Sequence, residues 1–209
     1  MTSRRPTCIK ICGLTRPEDA AAAAELGADL LGMVFSAESR RRLDFARAAQ
    51  IARASGGAVR VGVFKHEPLA EVLAAVERGR LSFVQMQRPV SADEVRALPV
   101  PVIAAIRHAG DANALPEAVV SRLRAVLLDD SEGAGSRSGW STLESRPPVA
   151  VDLFLAGGLD ESCVGDAIRR LRPDGVDVAT GVESSIGVKD RGRMERFIAA
   201  VREADRDEG

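Results

Sequence analysis

The sequence predicts an α/β fold in which eight strands alternate with eight helices and close into a single-domain (β/α)8 TIM barrel. Short apolar, β-branched runs alternate with longer stretches of helical spacing along 209 residues. Such alternation implies parallel strands joined by right-handed crossovers. An open, doubly wound sheet is the rival arrangement. It is disfavoured because the first strand lacks a G-x-G-x-x-G ending and the glycines cluster late in the chain.

The elements follow in order. The predicted strands are Cys8–Cys12, Asp29–Phe35, Val59–Phe64, Leu81–Gln87, Val100–Arg107, Ala125–Asp129, Val151–Ala156 and Gly175–Ala179. The helices are expected at 16–27, 45–55, 68–79, from Ser91, inside 111–124 with Pro116 in the first turn, near Trp140, and at 160–171 and 190–204. One domain spans residues 1–209, and its charged last residues, 205–209, are expected to form a frayed tail.

Composition excludes several classes of protein. The net charge of −1 provides no basic field for nucleic acid or for a membrane surface. The basic N-terminus lacks an apolar leader and no run is long enough to span a bilayer, which favours a cytoplasmic location. Three cysteines without a C-x-x-C pair and two histidines predict neither disulfide nor metal, and no cofactor is expected. The chain is expected to be a monomer or a homodimer.

Two neighbouring strands end in glycine, which is typical of a phosphate site. The seventh strand runs into Gly157 and Gly158, and the eighth reaches Thr180 and Gly181 before a short helix expected at 182–185. Backbone N–H groups at such corners bind oxyanions, and barrels often hold phosphate after these two strands. Ordinary β-to-α turns are the alternative interpretation.

The first and sixth strands carry reactive side chains at their ends. In the first strand, alternation directs Cys8, Lys10 and Cys12 to the barrel axis and the isoleucines to the helices. The sixth strand ends in two carboxylates, of which Asp129 is expected to face inward. A buried thiol is often core filling, and an acid at a strand end is often a helix cap.

Further polar groups flank the expected mouth of the barrel. Gln87 and Arg107 end the fourth and fifth strands, and Arg40, Arg41 and Arg42 follow the second. An arginine of this triplet would suit a second anionic group, although such runs are usually solvated. Together with the thiol, the carboxylate and the glycine corners, these residues favour a phosphorylated sugar that undergoes paired proton transfers without metal or nucleotide.

Six stretches carry a family resemblance across nearly the whole chain. They are Lys10–Asp19, Gly32–Phe35, Val61–Phe64, Leu127–Asp129, Leu155–Leu159 and Gly175–Asp190. These stretches resemble the phosphoribosylanthranilate isomerases, a family of (β/α)8 barrels in tryptophan biosynthesis. The opening and closing stretches together are highly specific. The resemblance implies an Amadori rearrangement of N-(5-phosphoribosyl)anthranilate to 1-(2-carboxyphenylamino)-1-deoxyribulose 5-phosphate.

The resemblance also implies residue roles. Cys12 would be the general base and Asp129 the general acid. Arg41, Gln87 and Asp177 would bind the substrate, with Arg41 facing the anthranilate carboxylate. The phosphate would be bound by Gly157, Gly158, Thr180 and Gly181. Lys10 would favour the thiolate or simply pair with Asp177.

Three departures from the family pattern bear on function. Gln87 stands where the family usually has histidine, so it can hydrogen bond but cannot titrate. The loop 131–139 lacks the usual residues and is expected to be a less anchored lid, and Ala179–Thr180 replaces a Ser-Ser pair. Two alternatives remain open: a diverged phosphosugar-amine isomerase of a specialised pathway, and a catalytically silent binding protein.

Overall fold

Eight parallel strands close into a barrel, which confirms the predicted fold class. The computed structural model describes residues 5–129 and 139–207. Neighbouring strands pair in chain order, and β8 pairs with β1 to complete the ring. The strands are β1 (Cys8–Ile11), β2 (Leu30–Val34), β3 (Val59–Phe64), β4 (Phe83–Met86), β5 (Val102–Ile106), β6 (Leu123–Leu128), β7 (Asp152–Leu155) and β8 (Gly175–Val178).

Helices cover the outside of the barrel. They are α1 (Pro17–Glu25), α2 (Phe45–Ala54), α3 (Leu69–Gly79), α4 (Ala92–Ala97), α5 (Glu117–Val120), α6 (Val164–Leu171) and α7 (Arg191–Asp207). The capping box predicted at Ser91 is present. The Glu94 backbone N–H donates to the Ser91 hydroxyl, and the Ser91 backbone N–H donates to the Glu94 carboxylate. Within the described part of the chain, every helix is too short or too polar to cross a membrane.

Two predicted helices differ in the structure. The fifth consists of a 3-10 helix at 109–114 followed by the single turn of α5, because Pro116 lacks an N–H and interrupts the helical bonds at the N-cap. The short helix expected at 182–185 is wrong. A 3-10 helix covers 180–182, and a hairpin of β9 (Glu183–Ser185) and β10 (Val188–Lys189) follows, turning at Gly187, whose φ is +77°.

Alternation along the strands sorts side chains as predicted. Ile9 and Ile11 lie in the large cluster between strands and helices. Cys8 packs in the inner cluster with Leu127 and Phe154, and Cys12 packs above it with Val34, Val63 and Ala179. Lys10 lies on the same face and is fully buried. The inward face of β1 therefore carries two thiols and an amine.

The last turn of α7 differs from the frayed tail predicted from residue 205. The helix continues to Asp207, and the Asp205 carboxylate accepts hydrogen bonds from the Thr7 backbone N–H and hydroxyl. Thr7 is fully buried, so this contact attaches the end of α7 to the chain just before β1.

Candidate active site

A cavity of about 780 Å³ opens at the carboxyl ends of the strands, a size typical of a site for a small molecule. The structure places on its wall all nine residues that the sequence singled out for catalysis or binding. They are Cys12, Arg41, Gln87, Asp129, Gly157, Gly158, Asp177, Thr180 and Gly181.

Cys12 follows β1 and sits above a buried ion pair. Lys10 and Asp177 occupy paired positions of β1 and β8, and the Lys10 Nζ lies 2.8 Å from the Asp177 Oδ2. The other carboxylate oxygen, Oδ1, is buried and has no hydrogen-bond partner among the described residues. Since Asp177 lines the cavity, this oxygen can accept a hydrogen bond from a ligand.

Burial and neighbouring charges have opposing effects on the pKa values of Cys12, Lys10 and Asp177. Burial raises the pKa of the Cys12 thiol and the Asp177 carboxylate raises it further, whereas the Lys10 and Lys189 ammonium groups lower it. Burial alone would lower the pKa of Lys10, but its interactions with Asp177 and Cys12 together outweigh burial and raise that pKa above the usual value. Lys10 therefore stays protonated, and Cys12 is a strong base whenever it is ionised.

Asp129 lies immediately after β6, where its backbone N–H donates to the Ile106 carbonyl at 2.9 Å. In the ring, β6 and β1 are separated by β7 and β8 on one side and by four strands on the other. The Asp129 carboxylate is near enough to raise the pKa of Asp177, although burial has the larger effect. The thiol and the acid thus approach the cavity from different parts of the ring.

The backbone at the two glycine corners between those strands requires glycine. Gly157 and Gly158 adopt φ of +86° and +64°, which side chains disfavour. A Cβ on Gly181 would lie 2.1 Å from the Leu159 carbonyl oxygen, so the two loops approach too closely for any side chain there. The Trp140 Nε1 donates to the Gly157 carbonyl at 2.7 Å and fixes the first corner from outside.

Arg41 reaches this side of the cavity from the loop after β2. Its Nη2 donates to the Thr180 hydroxyl at 3.2 Å, and its Nε and Nη2 donate to the Glu183 carboxylate at 2.8 and 2.7 Å. No role was predicted for Glu183, although it lies in the closing stretch of the family resemblance.

Gln87 is exposed at the mouth of the barrel, two positions after Gln85. Gln85 is buried and lines the cavity, and its Oε1 has no hydrogen-bond partner among residues 5–129 and 139–207. Sequence reasoning missed Gln85, although the parity that directs Gln87 to the cavity also directs Gln85 there.

Comparison with known proteins gives the family. The family described as N-(5'phosphoribosyl)anthranilate (PRA) isomerase matches residues 9–200. This chain belongs to that family. A phosphoribosylanthranilate isomerase of Oceanobacillus iheyensis is 35% identical over 204 residues, covering 94% of this chain and 98% of the relative.

Solved structures of the isomerase family agree with this result. A phosphoribosyl anthranilate isomerase from Thermus thermophilus matches with a TM-score of 0.81 at 32% identity, covering 94% of this chain and 99% of that one. Another, solved in complex with reduced 1-(o-carboxyphenylamino)-1-deoxyribulose 5-phosphate, matches with a TM-score of 0.77 at 29% identity and the same coverage. Most of the lid predicted at 131–139 lies outside the described residues.

Proposed function

We propose that this chain is a phosphoribosylanthranilate isomerase, which converts N-(5-phosphoribosyl)anthranilate to 1-(2-carboxyphenylamino)-1-deoxyribulose 5-phosphate in tryptophan biosynthesis. One observation carries the proposal: in a member of this family, a single cavity joins a thiol, a carboxylate and two glycine corners. A phosphorylated sugar needs these groups for paired proton transfers without a cofactor.

The first proton transfer belongs to Asp129. As the general acid, its carboxyl group protonates the furanose ring oxygen, the bond from that oxygen to the anomeric carbon breaks, and the ring opens to a protonated Schiff base. A ring oxygen leaves readily only when it is protonated, so a positioned acid accelerates this step by about 10²–10⁴-fold.

The second proton transfer belongs to Cys12. The iminium acidifies the neighbouring C–H bond, and the thiolate removes that proton to give an enolamine, which tautomerises to the ketone. Atoms and electrons balance within one molecule, so the net reaction is an isomerisation. The raised pKa of Cys12 makes its thiolate a strong base for this carbon acid.

The remaining residues hold the substrate. The backbone at Gly157, Gly158, Thr180 and Gly181 binds the phosphate, and Arg41 binds the anthranilate carboxylate. The unpartnered Asp177 Oδ1 accepts a bond from a substrate hydroxyl or amine, and Gln87 contacts the substrate at the mouth. We propose that one barrel domain performs this chemistry, and its cytoplasmic location and its state as monomer or homodimer stay predictions.

A turnover assay tests the proposal. Phosphoribosylanthranilate is generated in place, and its fluorescence is followed as it disappears. We expect turnover by the wild type and a loss of kcat/KM of about 10²-fold or more in Cys12→Ala and in Asp129→Asn. Cys8→Ala is the matched control, since Cys8 begins β1 at the opposite end of the barrel. An inactive wild type, or variants within a few-fold of it, would contradict the proposal.

A further inference from the structure

The guanidinium of Arg41 is held along one edge by the carboxylate of Glu183. Arg41 Nε donates to Glu183 Oε1 at 2.8 Å and Nη2 to Oε2 at 2.7 Å, which is the bidentate geometry that fits arginine to a carboxylate. The two residues come from opposite sides of the β1 strand end, one from the loop after β2 and the other from β9. Glu183 therefore fixes a side chain that is 142 positions away.

Glu183 is itself fixed from several directions. Its side chain is 3% exposed, and its Oε1 also accepts from the Lys189 Nζ at 2.9 Å and from the Gly187 N–H at 3.1 Å. Lys189 in turn donates to the Ala179 carbonyl at 3.0 Å, next to the glycine corner of β8. These bonds hold the Glu183 carboxylate in one position, so it is a rigid partner for the Arg41 guanidinium.

The rest of the Arg41 side chain lies across Gly13. A Cβ on Gly13 would be 2.4 Å from the Arg41 Cδ, so the arginine stem occupies the space that a side chain would take. Because Gly13, the residue after Cys12, has no side chain, it leaves room for Arg41 to reach the cavity. The stem and one edge of the guanidinium are both held before any ligand binds.

The held arginine still has capacity for an anion. Nη1 has no hydrogen-bond partner among residues 5–129 and 139–207, and Arg41 lines the cavity. The single carboxylate of Glu183 faces two cations, Arg41 and Lys189, so the cluster keeps one net positive charge. Burial strengthens that charge toward a ligand anion because little water screens it.

We propose that Glu183 is a positioning residue that aims Arg41 at the carboxylate of the substrate and thereby sets the selectivity for a carboxylated aromatic amine. This inference rests on the proposed function, since that carboxylate belongs to the anthranilate group. A free arginine must lose much of its side-chain entropy on binding, and the Glu183 fork removes most of that cost in advance. The expected gain is carboxylate selectivity rather than phosphate affinity.

Ligand binding measures this selectivity directly. The probes are reduced 1-(o-carboxyphenylamino)-1-deoxyribulose 5-phosphate and the same compound without the ring carboxylate, with dissociation constants from calorimetry. We expect the wild type to prefer the carboxylated probe, and Glu183→Gln to lose roughly tenfold or more of that preference, as expected for a charge-assisted contact. KM for the substrate should rise by a similar factor, with a smaller change in kcat.

Three controls separate positioning from a structural role. Inhibition by inorganic phosphate should stay within about twofold of wild type in Glu183→Gln, whereas collapse of the β8 corner would weaken it. Glu183→Asp keeps the charge between the two cations but has a shorter reach, so it should fold and lose an intermediate part of the preference. The double variant Arg41→Ala/Glu183→Gln should be no less selective than Arg41→Ala alone, because Glu183 acts through Arg41.

The outcomes are distinguishable. Unchanged preference in Glu183→Gln and Glu183→Asp, in a wild type that turns over phosphoribosylanthranilate, would overturn the positioning role and leave the proposed function intact. An equal loss of phosphate and carboxylate affinity would overturn it as well. A wild type without turnover and without preference for the carboxylated probe would overturn both.

Discussion

At the scale of the residue, the proposed role of Cys12 as a base depends on the charges around it. Lys10, Arg41 and Lys189 all interact electrostatically with the thiol, and the carboxylates of Asp177 and Glu183 pair with them. Three cations against two carboxylates leave one positive charge, which a Cys12 thiolate would neutralise. Burial disfavours the thiolate, and the Lys10 and Lys189 ammonium groups oppose the effect of burial.

Removing one of these cations should move the pH dependence of the reaction. In the wild type, kcat/KM should rise with pH as the thiolate forms. Lys10→Met removes a positive charge that lowers the pKa of Cys12, so the rise should shift to higher pH and kcat/KM near pH 7 should fall about tenfold or more. The measurement is a pH profile of kcat/KM for both proteins.

The Lys10→Met variant needs a control for correct folding, because the change leaves Asp177 buried without its partner. Circular dichroism at each pH establishes that the variant is folded where it is assayed. A profile that drops uniformly with its rising limb in place would mean that Lys10 only stabilises the barrel.

Alternation and position at strand ends predicted Cys12, Asp129, Gln87 and the two glycine corners, whereas the family resemblance was needed to choose Arg41 and Asp177. Neither source predicted the partners that hold those residues. Arg41 and Glu183 lie 142 positions apart, and their bond depends on how two loops meet above Gly13. No local pattern encodes such a meeting, so the anchor of Arg41 became visible only with the structure.

At the scale of the element, the loop between β7 and α6 depends on an outside support. The Trp140 indole donates to the Gly157 carbonyl, and Arg170 lies over the indole ring, 6.0 Å from its centroid. Arg170 also donates to the Trp140 and Ser141 carbonyls at 3.3 and 3.2 Å. The 3-10 helix at 139–142 is thereby fastened between α6 and the first glycine corner.

Trp140→Phe tests this support. Phenylalanine keeps most of the packing but cannot donate to the Gly157 carbonyl, so the corner loses one hydrogen bond. We expect inhibition by inorganic phosphate to weaken about 2–10-fold, the range for one such bond. The preference for a ring carboxylate should remain, since Arg41 is held independently. Unchanged phosphate inhibition would contradict this role.

The types of the helices and strands were predictable from the sequence, whereas some of their lengths and the β9–β10 hairpin were not. Caps and apolar runs predicted α4 and the strands well. The segment after Gly181 was predicted as a helix because it begins at a glycine corner. Instead, the buried Glu183 pairs with Lys189 and Arg41, and these tertiary bonds favour an extended strand over a helical turn.

At the scale of the whole molecule, the ring closes where β8 pairs with β1, and the last helix contacts the segment just before β1. The β1 to β8 seam contains the Lys10 and Asp177 pair, and Asp205 of α7 binds the Thr7 N–H at 3.0 Å and the Thr7 hydroxyl at 2.6 Å. Arg202 completes the contact by donating to the Thr7 carbonyl at 2.7 Å. The last helix thus fastens the first strand.

Asp205→Ala should destabilise the barrel without affecting catalysis. The buried Thr7 N–H and hydroxyl would lose their acceptor, which costs about 1–3 kcal/mol and lowers the melting temperature by several degrees. Asp207→Ala is the matched control, because Asp207 lies on the same helix, is 58% exposed and approaches Arg169 only to 3.8 Å. Equal melting temperatures for the two variants would contradict this role, and kcat should match wild type in both.

Closure itself was predictable because eight alternating units leave few other arrangements. The fastening by Asp205 was not, since a charged C-terminal segment gives no local sign of a buried partner. Its side chain is only 15% exposed, and it accepts hydrogen bonds from Thr7, which is 198 positions away.

A crystal structure of the complex with reduced 1-(o-carboxyphenylamino)-1-deoxyribulose 5-phosphate would test the central claim most directly. We expect the phosphate between Gly158 and Gly181, the ring carboxylate on Arg41, and the sugar between the Cys12 Sγ and the Asp129 carboxylate. Sulfur and carboxylate should each lie within proton-transfer reach of the atoms that they serve. A phosphate bound elsewhere, or either group turned away from the sugar, would contradict the assignment.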